Sequence, residues 1–89
     1  MKSIIQKDKE CYICKSLYCE DHHIFGAANR KNSEKYGLKV WLCPEHHKGK
    51  YSPHFDPVLD RELKQMAQEK FLETHSFDEW MSVFGRNFL

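Results

Sequence analysis

Two short pairs of soft ligands constrain this chain more than any other feature. Cys11-x-x-Cys14 lies near the start, and 28 residues separate Cys14 from Cys43-Pro44-Glu45-His46. Two residues three apart on a tight turn can both reach one ion, and the stretch between the pairs is long enough for a hairpin. This is the spacing of a tetrahedral structural zinc site built from Cys11, Cys14, Cys43 and His46. The competing readings are buried free thiols or a redox Cys-x-x-Cys, but the redox site needs a βαβ context that is absent here. Cys19 is the odd one out. It reads as a strand residue packed in the core, with substitution for His46 as fourth ligand the alternative.

A zinc staple matters because the chain has only 89 residues. A chain of that length buries only about 60–65% of the surface its unfolded form exposes, which leaves room for one domain, 1–89, and excludes a second core. Hydrophobic residues make up 40% and charged residues 30%, a globular balance. The longest apolar run, Val40-Trp41-Leu42-Cys43, is far short of a bilayer span, and Met1 to Gln6 has no signal-peptide apolar region. Neither secretion nor membrane insertion is expected, and a cytoplasmic chain favours metal-bound over disulfide-bonded cysteines.

Charge divides the chain. Residues 1–54 carry ten Lys and Arg against six Asp and Glu, whereas residues 55–89 carry four against seven. All four Cys and five of the six His precede residue 55. The first part is therefore read as the metal and chemical half, and the second as a helical half.

Local signals give an α+β order. Residues 1–10 read as a strand or arm, and Ile13 to Phe25 as one or two short strands. Residues 30–37 form a polar loop with room for a helical turn ended by Gly37, and Leu38 to Leu42 alternates in the strand period. Pro44 opens a short helix through Lys48, which Gly49 and Pro53 stop. Asp56-Pro57 starts a helix expected over about 57–74, with Leu59, Leu63, Met66, Ala67 and Phe71 on one face. Ser76 and Glu79 make a capping box for a last helix whose apolar face is Phe77, Trp80, Met81 and Phe84, stopped near Gly85. The tail Asn87-Phe88-Leu89 is expected to pack back.

Histidines form a second constellation. His22 and His23 point to opposite faces if they lie on a strand, so their roles should differ. His46 and His47 diverge by about 100° on a helix, so His46 can face the zinc pair while His47 faces His22. Gly49 and Pro53 let the chain fold back to bring His54 near. Two adjacent pairs and a third histidine point to a second, open metal site. His75 stands apart and reads as an ordinary residue between two helices.

Taken together, Cys11-x-x-Cys14, Glu20-Asp21-His22-His23-Ile24-Phe25-Gly26 and Leu42-Cys43-Pro44-Glu45-His46-His47 resemble the HNH endonucleases of the ββα-metal fold. The run from Phe25 to Leu42 and the terminal Phe84-Gly85-Arg86-Asn87-Phe88-Leu89 look like small phage and prophage recombination-enhancement, RecA-dependent nucleases. The resemblance implies a zinc-stapled hairpin and short helix followed by C-terminal helices, with DNA as substrate. It implies His22, His47 and His54 as ligands of a catalytic divalent ion (Mg²⁺, Mn²⁺ or Zn²⁺) and His23 as general base. An imidazole, with an ordinary pKa of about 6.5, can accept a proton from water near neutral pH, and a divalent ion can polarise the scissile phosphate. The family's middle Asn, which orients the catalytic histidine, has no match near Leu38. Asn29 and Asn32 are the candidates to replace it, and Glu20 or Asp21 could orient an imidazole from behind.

Arg30, Lys31, Lys35, Lys39, Lys48 and Lys50 surround the expected site, opposed only by Glu34 and Glu45. Such cations would neutralise phosphates without reading bases. The resulting expectation is a metal-dependent HNH-type nuclease of a bacterial cytoplasm, phage- or prophage-encoded, monomeric or homodimeric, with a recombinase filament as a further partner. The alternative is a non-catalytic zinc module that binds DNA or a recombination protein. A third possibility is that the acidic helical half docks a basic partner, although a solvated charged face explains the same residues more cheaply.

Overall fold

The two strand-period segments on either side of the polar loop pair with each other. Strand β1 (Glu20–His23) and strand β2 (Lys39–Leu42) run antiparallel, with Glu20 opposite Leu42, Asp21 opposite Trp41, His22 opposite Val40 and His23 opposite Lys39. These come from a computed structural model that describes residues 2–89. The fold is α+β: a two-stranded antiparallel hairpin, short helices beside it and two C-terminal helices.

Between the strands run a 3-10 turn (Ala27–Asn29) and helix α1 (Arg30–Lys35). Ser33 ties this connection to the strand ends. Its buried hydroxyl accepts from the Phe25 N–H at 3.3 Å and donates to the Leu38 carbonyl at 2.5 Å, while the Leu38 N–H returns to the Ser33 carbonyl. Gly37 follows at φ +70°, and a Cβ there would lie 2.5 Å from the Lys2 carbonyl oxygen, so this turn needs glycine on both counts.

Residues 2–10 are an arm and not a strand. They lie along β2, but the contacts come largely from side chains: Gln6 Oε1 accepts from the Trp41 N–H at 2.7 Å, and Ser3 Oγ donates to the Lys39 carbonyl. Ser3 Oγ also accepts from the N–H groups of Ile5 and Gln6. A local serine turn therefore competes with the ladder and bends the arm away from strand geometry.

Helix α2 (Pro44–Lys48) begins directly after Cys43 with Pro44 in its first turn, where no N–H is needed. Helix α3 (Pro57–Leu72) starts where Asp56 accepts from the Val58 and Leu59 N–H groups, and it ends two residues before the expected boundary. Helix α4 (Phe77–Phe84) carries the capping box of Ser76 and Glu79 and closes at Gly85 in the left-handed region.

One apolar cluster joins the strand ends to the helices. Ile24, Phe25, Leu38, Val40 and Leu42 meet Leu63, Ala67 and Phe71 of α3 and Trp80 and Phe84 of α4. Phe25 is the hinge of this packing, with ring centroids 4.6 Å from Phe84, 5.5 Å from Trp80 and 5.5 Å from Phe88. The tail does pack back: Trp80 Nε1 donates to the Arg86 carbonyl, and buried Gln68 bonds both Asn87 and the Phe88 N–H. Two expected core positions differ. Phe77, in the first turn of α4, is 46% exposed. Cys19 lies just before β1, half-exposed, its thiol directed at the Leu17 carbonyl, because the chain bends there before pairing begins.

Candidate metal centre

The zinc pairs converge. The donor atoms of Cys11, Cys14, Cys43 and His46 all lie within 4.8 Å of one another. Cys14 Sγ is 3.7 Å from Cys43 Sγ, and His46 Nδ1 lies 3.7 Å from Cys11 Sγ and 3.1 Å from Cys43 Sγ. Bond lengths of about 2.3 Å for Zn–S and 2.0 Å for Zn–N separate tetrahedral ligand atoms by about 3.5–3.8 Å, so this group could hold a structural zinc.

Local backbone geometry builds each pair. The Lys15 N–H returns to the Cys11 carbonyl at 2.9 Å, and Lys15 takes φ +66° to close the turn. Burial pushes the Cys11 thiol up, but N–H groups of Cys14, Cys43 and Ile13 directed at it outweigh that and bring it down to about 6. Those N–H groups stabilise the thiolate, the form that binds zinc. Cys14 is held above its ordinary value: a backbone bond from Ser16 lowers it, but burial and the neighbouring thiols Cys11 and Cys43 prevail. Cys19 is in neither metal group among the described residues.

Helix α2 borders both constellations, as the angular divergence of adjacent helical residues requires. His46 faces the cysteines, whereas His47 joins His22 of β1 and His54 of the loop before α3. Donor atoms of these three also lie within 4.8 Å of one another, and the ring centroids are 5.4 Å (His22 to His47), 5.9 Å (His22 to His54) and 6.4 Å (His47 to His54) apart. Gly49 ends α2, and the Ser52 N–H returns to the Gly49 carbonyl, so the chain doubles back and delivers His54.

His22 is only 6% exposed, and its Nε2 is buried with no hydrogen-bond partner among the described residues. Burial first, then the neighbouring His47 and His54, bring its pKa down to about 4, so at neutral pH it offers a lone pair and not a charge. His47 is held from behind: its Nδ1 lies 2.5 Å from Glu20 Oε1. A carboxylate only accepts, so Nδ1 carries the proton and Nε2 is left for a ligand. The bond to His47, reinforced by Lys48, holds Glu20 below the usual carboxylate range.

His23 faces the other way, as strand alternation predicts, and its Nε2 is 3.4 Å from Glu34 Oε1 on α1. By the same logic Nε2 is the donor and Nδ1 carries the lone pair. Glu34 therefore stands where Asn29 or Asn32 was expected. Those two bond each other at 3.3 Å, and Asn32 also reaches the Val83 carbonyl; among the described residues neither is hydrogen-bonded to His23. His22, His23, His47 and His54 nevertheless line one cleft together with Asp21, Gly26 and Arg30.

The expected phosphate contacts separate into three groups. Arg30 and Lys31 line clefts beside His23. Lys35, Lys48 and Lys50 are exposed but outside those clefts, with Lys48 Nζ 3.7 Å from Glu20 and Lys50 over the Tyr51 ring. Lys39 stands apart from the other five. It is 7% exposed, and its ammonium lies 3.0 Å from Glu34 and 3.5 Å from Asp21. Burial alone would lower its pKa, but these carboxylates hold it raised, so its charge is spent inside the fold.

Glu34 is the residue that sequence reasoning undervalued. It was visible only as an acid opposing nearby cations, although its position one helical turn after Arg30 offered a clue to a shared face. Compared with protein-family models, curated proteins and solved structures, the chain matches none. No helix among the described residues is long and apolar enough to cross a membrane.

Proposed function

We propose that this chain is a metal-dependent endonuclease of the HNH, ββα-metal type that hydrolyses DNA phosphodiester bonds in a phage- or prophage-associated recombination setting. The observation that carries the proposal is His22 Nε2. A buried imidazole nitrogen without a partner costs about 1–3 kcal/mol, and here its ring belongs to a group of three histidines that line one cleft. A bound divalent ion removes that cost.

His22, His47 and His54 would hold the ion, and Glu20 would fix the ring of His47. A divalent ion there would supply Lewis-acid polarisation of the phosphate and charge stabilisation at the leaving 3′ oxygen. His23 takes the proton of the attacking water at Nδ1 while Glu34 keeps its Nε2–H oriented. The P–O3′ bond breaks as the new P–O bond forms, and the leaving 3′ oxygen takes a proton from solvent, which yields a 5′ phosphate and a 3′ hydroxyl. Cys11, Cys14, Cys43 and His46, with zinc, brace the hairpin and α2 that carry these groups.

The test is plasmid nicking by zinc-loaded protein with Mg²⁺ or Mn²⁺ added, beside His23→Ala, with metal content measured for both. Metal-dependent nicking that His23→Ala lowers by about 10²–10⁴-fold, with zinc content unchanged, supports the proposal. Folded zinc-loaded protein that binds DNA but nicks it under neither ion would assign the chain to the non-catalytic zinc modules.

A further inference from the structure

The acidic C-terminal part carries four cations, and the fold gathers three of them on one side. Arg61 and Lys64 of α3 and Arg86 of the tail line a single surface hollow together with Phe88. Lys64 Nζ lies 5.9 Å from the centroid of the Phe88 ring and the Arg86 guanidinium 5.1 Å, so both cations sit against the same aromatic ring. That ring is not free to wander. The Phe88 N–H donates to buried Gln68, and the Phe88 carbonyl accepts from Gln65.

The hollow opens toward the histidines. Lys64 and Asp60 line it and also line the cleft formed by His22, His23 and His54. Arg30 of α1 lines an adjoining cleft that shares His22, His23, Gly26 and His54 with it. A cation from each part of the chain, Lys64 and Arg30, thus lines a cleft that the histidines also line. Asp60 is the one carboxylate side chain in the hollow and is already paired with Lys64 at 2.8 Å. Arg61 and Arg86 are exposed and make no ion pair among the described residues.

We infer that Arg61, Lys64 and Arg86 form a second phosphate-binding surface, which grips the DNA backbone beside the histidines and is separate from Arg30 and Lys31. The inference rests on the nuclease reading for its ligand, but its test needs no cleavage. A polyanion that lies along the histidines can meet both sets of cations, whereas a small anion would engage only one. The contacts reach phosphates and not base edges, so they add affinity and register without sequence preference.

The experiment measures binding of a fluorescein-labelled DNA duplex by anisotropy, with zinc-loaded protein and no other divalent ion, between about 50 and 300 mM salt. Each lost phosphate contact flattens the plot of log affinity against log salt by about 0.9. The triple variant Arg61→Gln, Lys64→Gln, Arg86→Gln is expected to reduce the slope by about 2–3 and weaken binding more than tenfold at about 50 mM salt. The double variant Arg61→Gln, Arg86→Gln changes only exposed side chains and decides the matter if the triple variant misfolds, with a slope reduction of about 1–2. An unchanged slope in the folded variants, beside a reduced slope for Arg30→Gln with Lys31→Gln, overturns this surface and leaves the nuclease reading standing. A wild-type protein that binds no DNA overturns both.

Discussion

The two metal constellations share helix α2 yet are built on opposite principles. At the cysteine group, Cys11 and Cys43 are buried, backbone N–H groups point at sulfur, and four donors close on one point. At the histidine group there are three donors, one of them buried with no hydrogen-bond partner among the described residues, and the group lines an open cleft. A closed four-ligand site holds a fold together; a three-ligand site with an open position has room for substrate or water. The rotation of about 100° between His46 and His47 is what lets five residues of helix serve both.

Breaking the closed site should have the largest effect. Cys43→Ser removes a ligand on which the start of α2 depends, and zinc sites of this kind carry about 10–16 kcal/mol of apparent binding energy in small peptides. The expected outcome is loss of bound zinc and of a cooperative thermal unfolding transition, read by metal analysis and near-ultraviolet circular dichroism. Chelation of the wild type should give the same curve. A Cys43→Ser protein that stays folded without zinc would show that the apolar cluster suffices and that the closed site is not the staple.

The parts of this architecture that could be read directly from the sequence are those governed by short-range geometry. The ligand pairs three residues apart, Asp56-Pro57 at the head of α3, and Ser76 with Glu79 at α4 each involve neighbours within a turn, so spacing alone carries them. Interactions that depend on packing between elements are not legible in this way. Lys39 looks like one more cation until β2 sets it between Asp21 and Glu34, and Gln6 in the arm gives no hint of its bond to Trp41. Glu34 and Lys64 gain their place only once α1 and α3 are packed around the histidines. The charge split of the chain is real, but a net negative helical part still puts Lys64 at the histidine cleft, because a helix distributes its charges over several faces.

The open site can be dissected without touching a ligand. Glu20→Gln leaves His47 in place but weakens the acceptor behind it, and outer-shell changes of this kind cost about 10–100-fold in metal affinity or activity. Glu34→Gln acts on His23 instead. The expected contrast is weaker divalent-ion binding in the first variant, by isothermal titration, and unchanged ion binding with nicking reduced about tenfold in the second. Both should keep their zinc. Equal loss of ion affinity in the two variants would mean that His23 and His47 are not divided between base and ligand.

Lys39 supplies the smallest effect and the sharpest boundary. Its ammonium is 7% exposed between two carboxylates, so it cannot release a counterion from a phosphate without abandoning them. Lys39→Met keeps the aliphatic stem and removes the charge. Part of the ion pairing is lost, and partly exposed pairs of this kind are worth up to about 1 kcal/mol each, so a slightly lower unfolding midpoint is expected. The salt slope of DNA binding should stay within experimental error of the wild type, whereas Arg30→Gln should flatten it by about 0.9. If Lys39→Met flattens the slope as much as Arg30→Gln does, the ion pairs of Lys39 open when DNA arrives, and the pull of its ammonium on Glu34 is then relieved. That outcome would turn the difference between Lys39 and its neighbouring cations from a fixed property of the fold into a response to the bound strand.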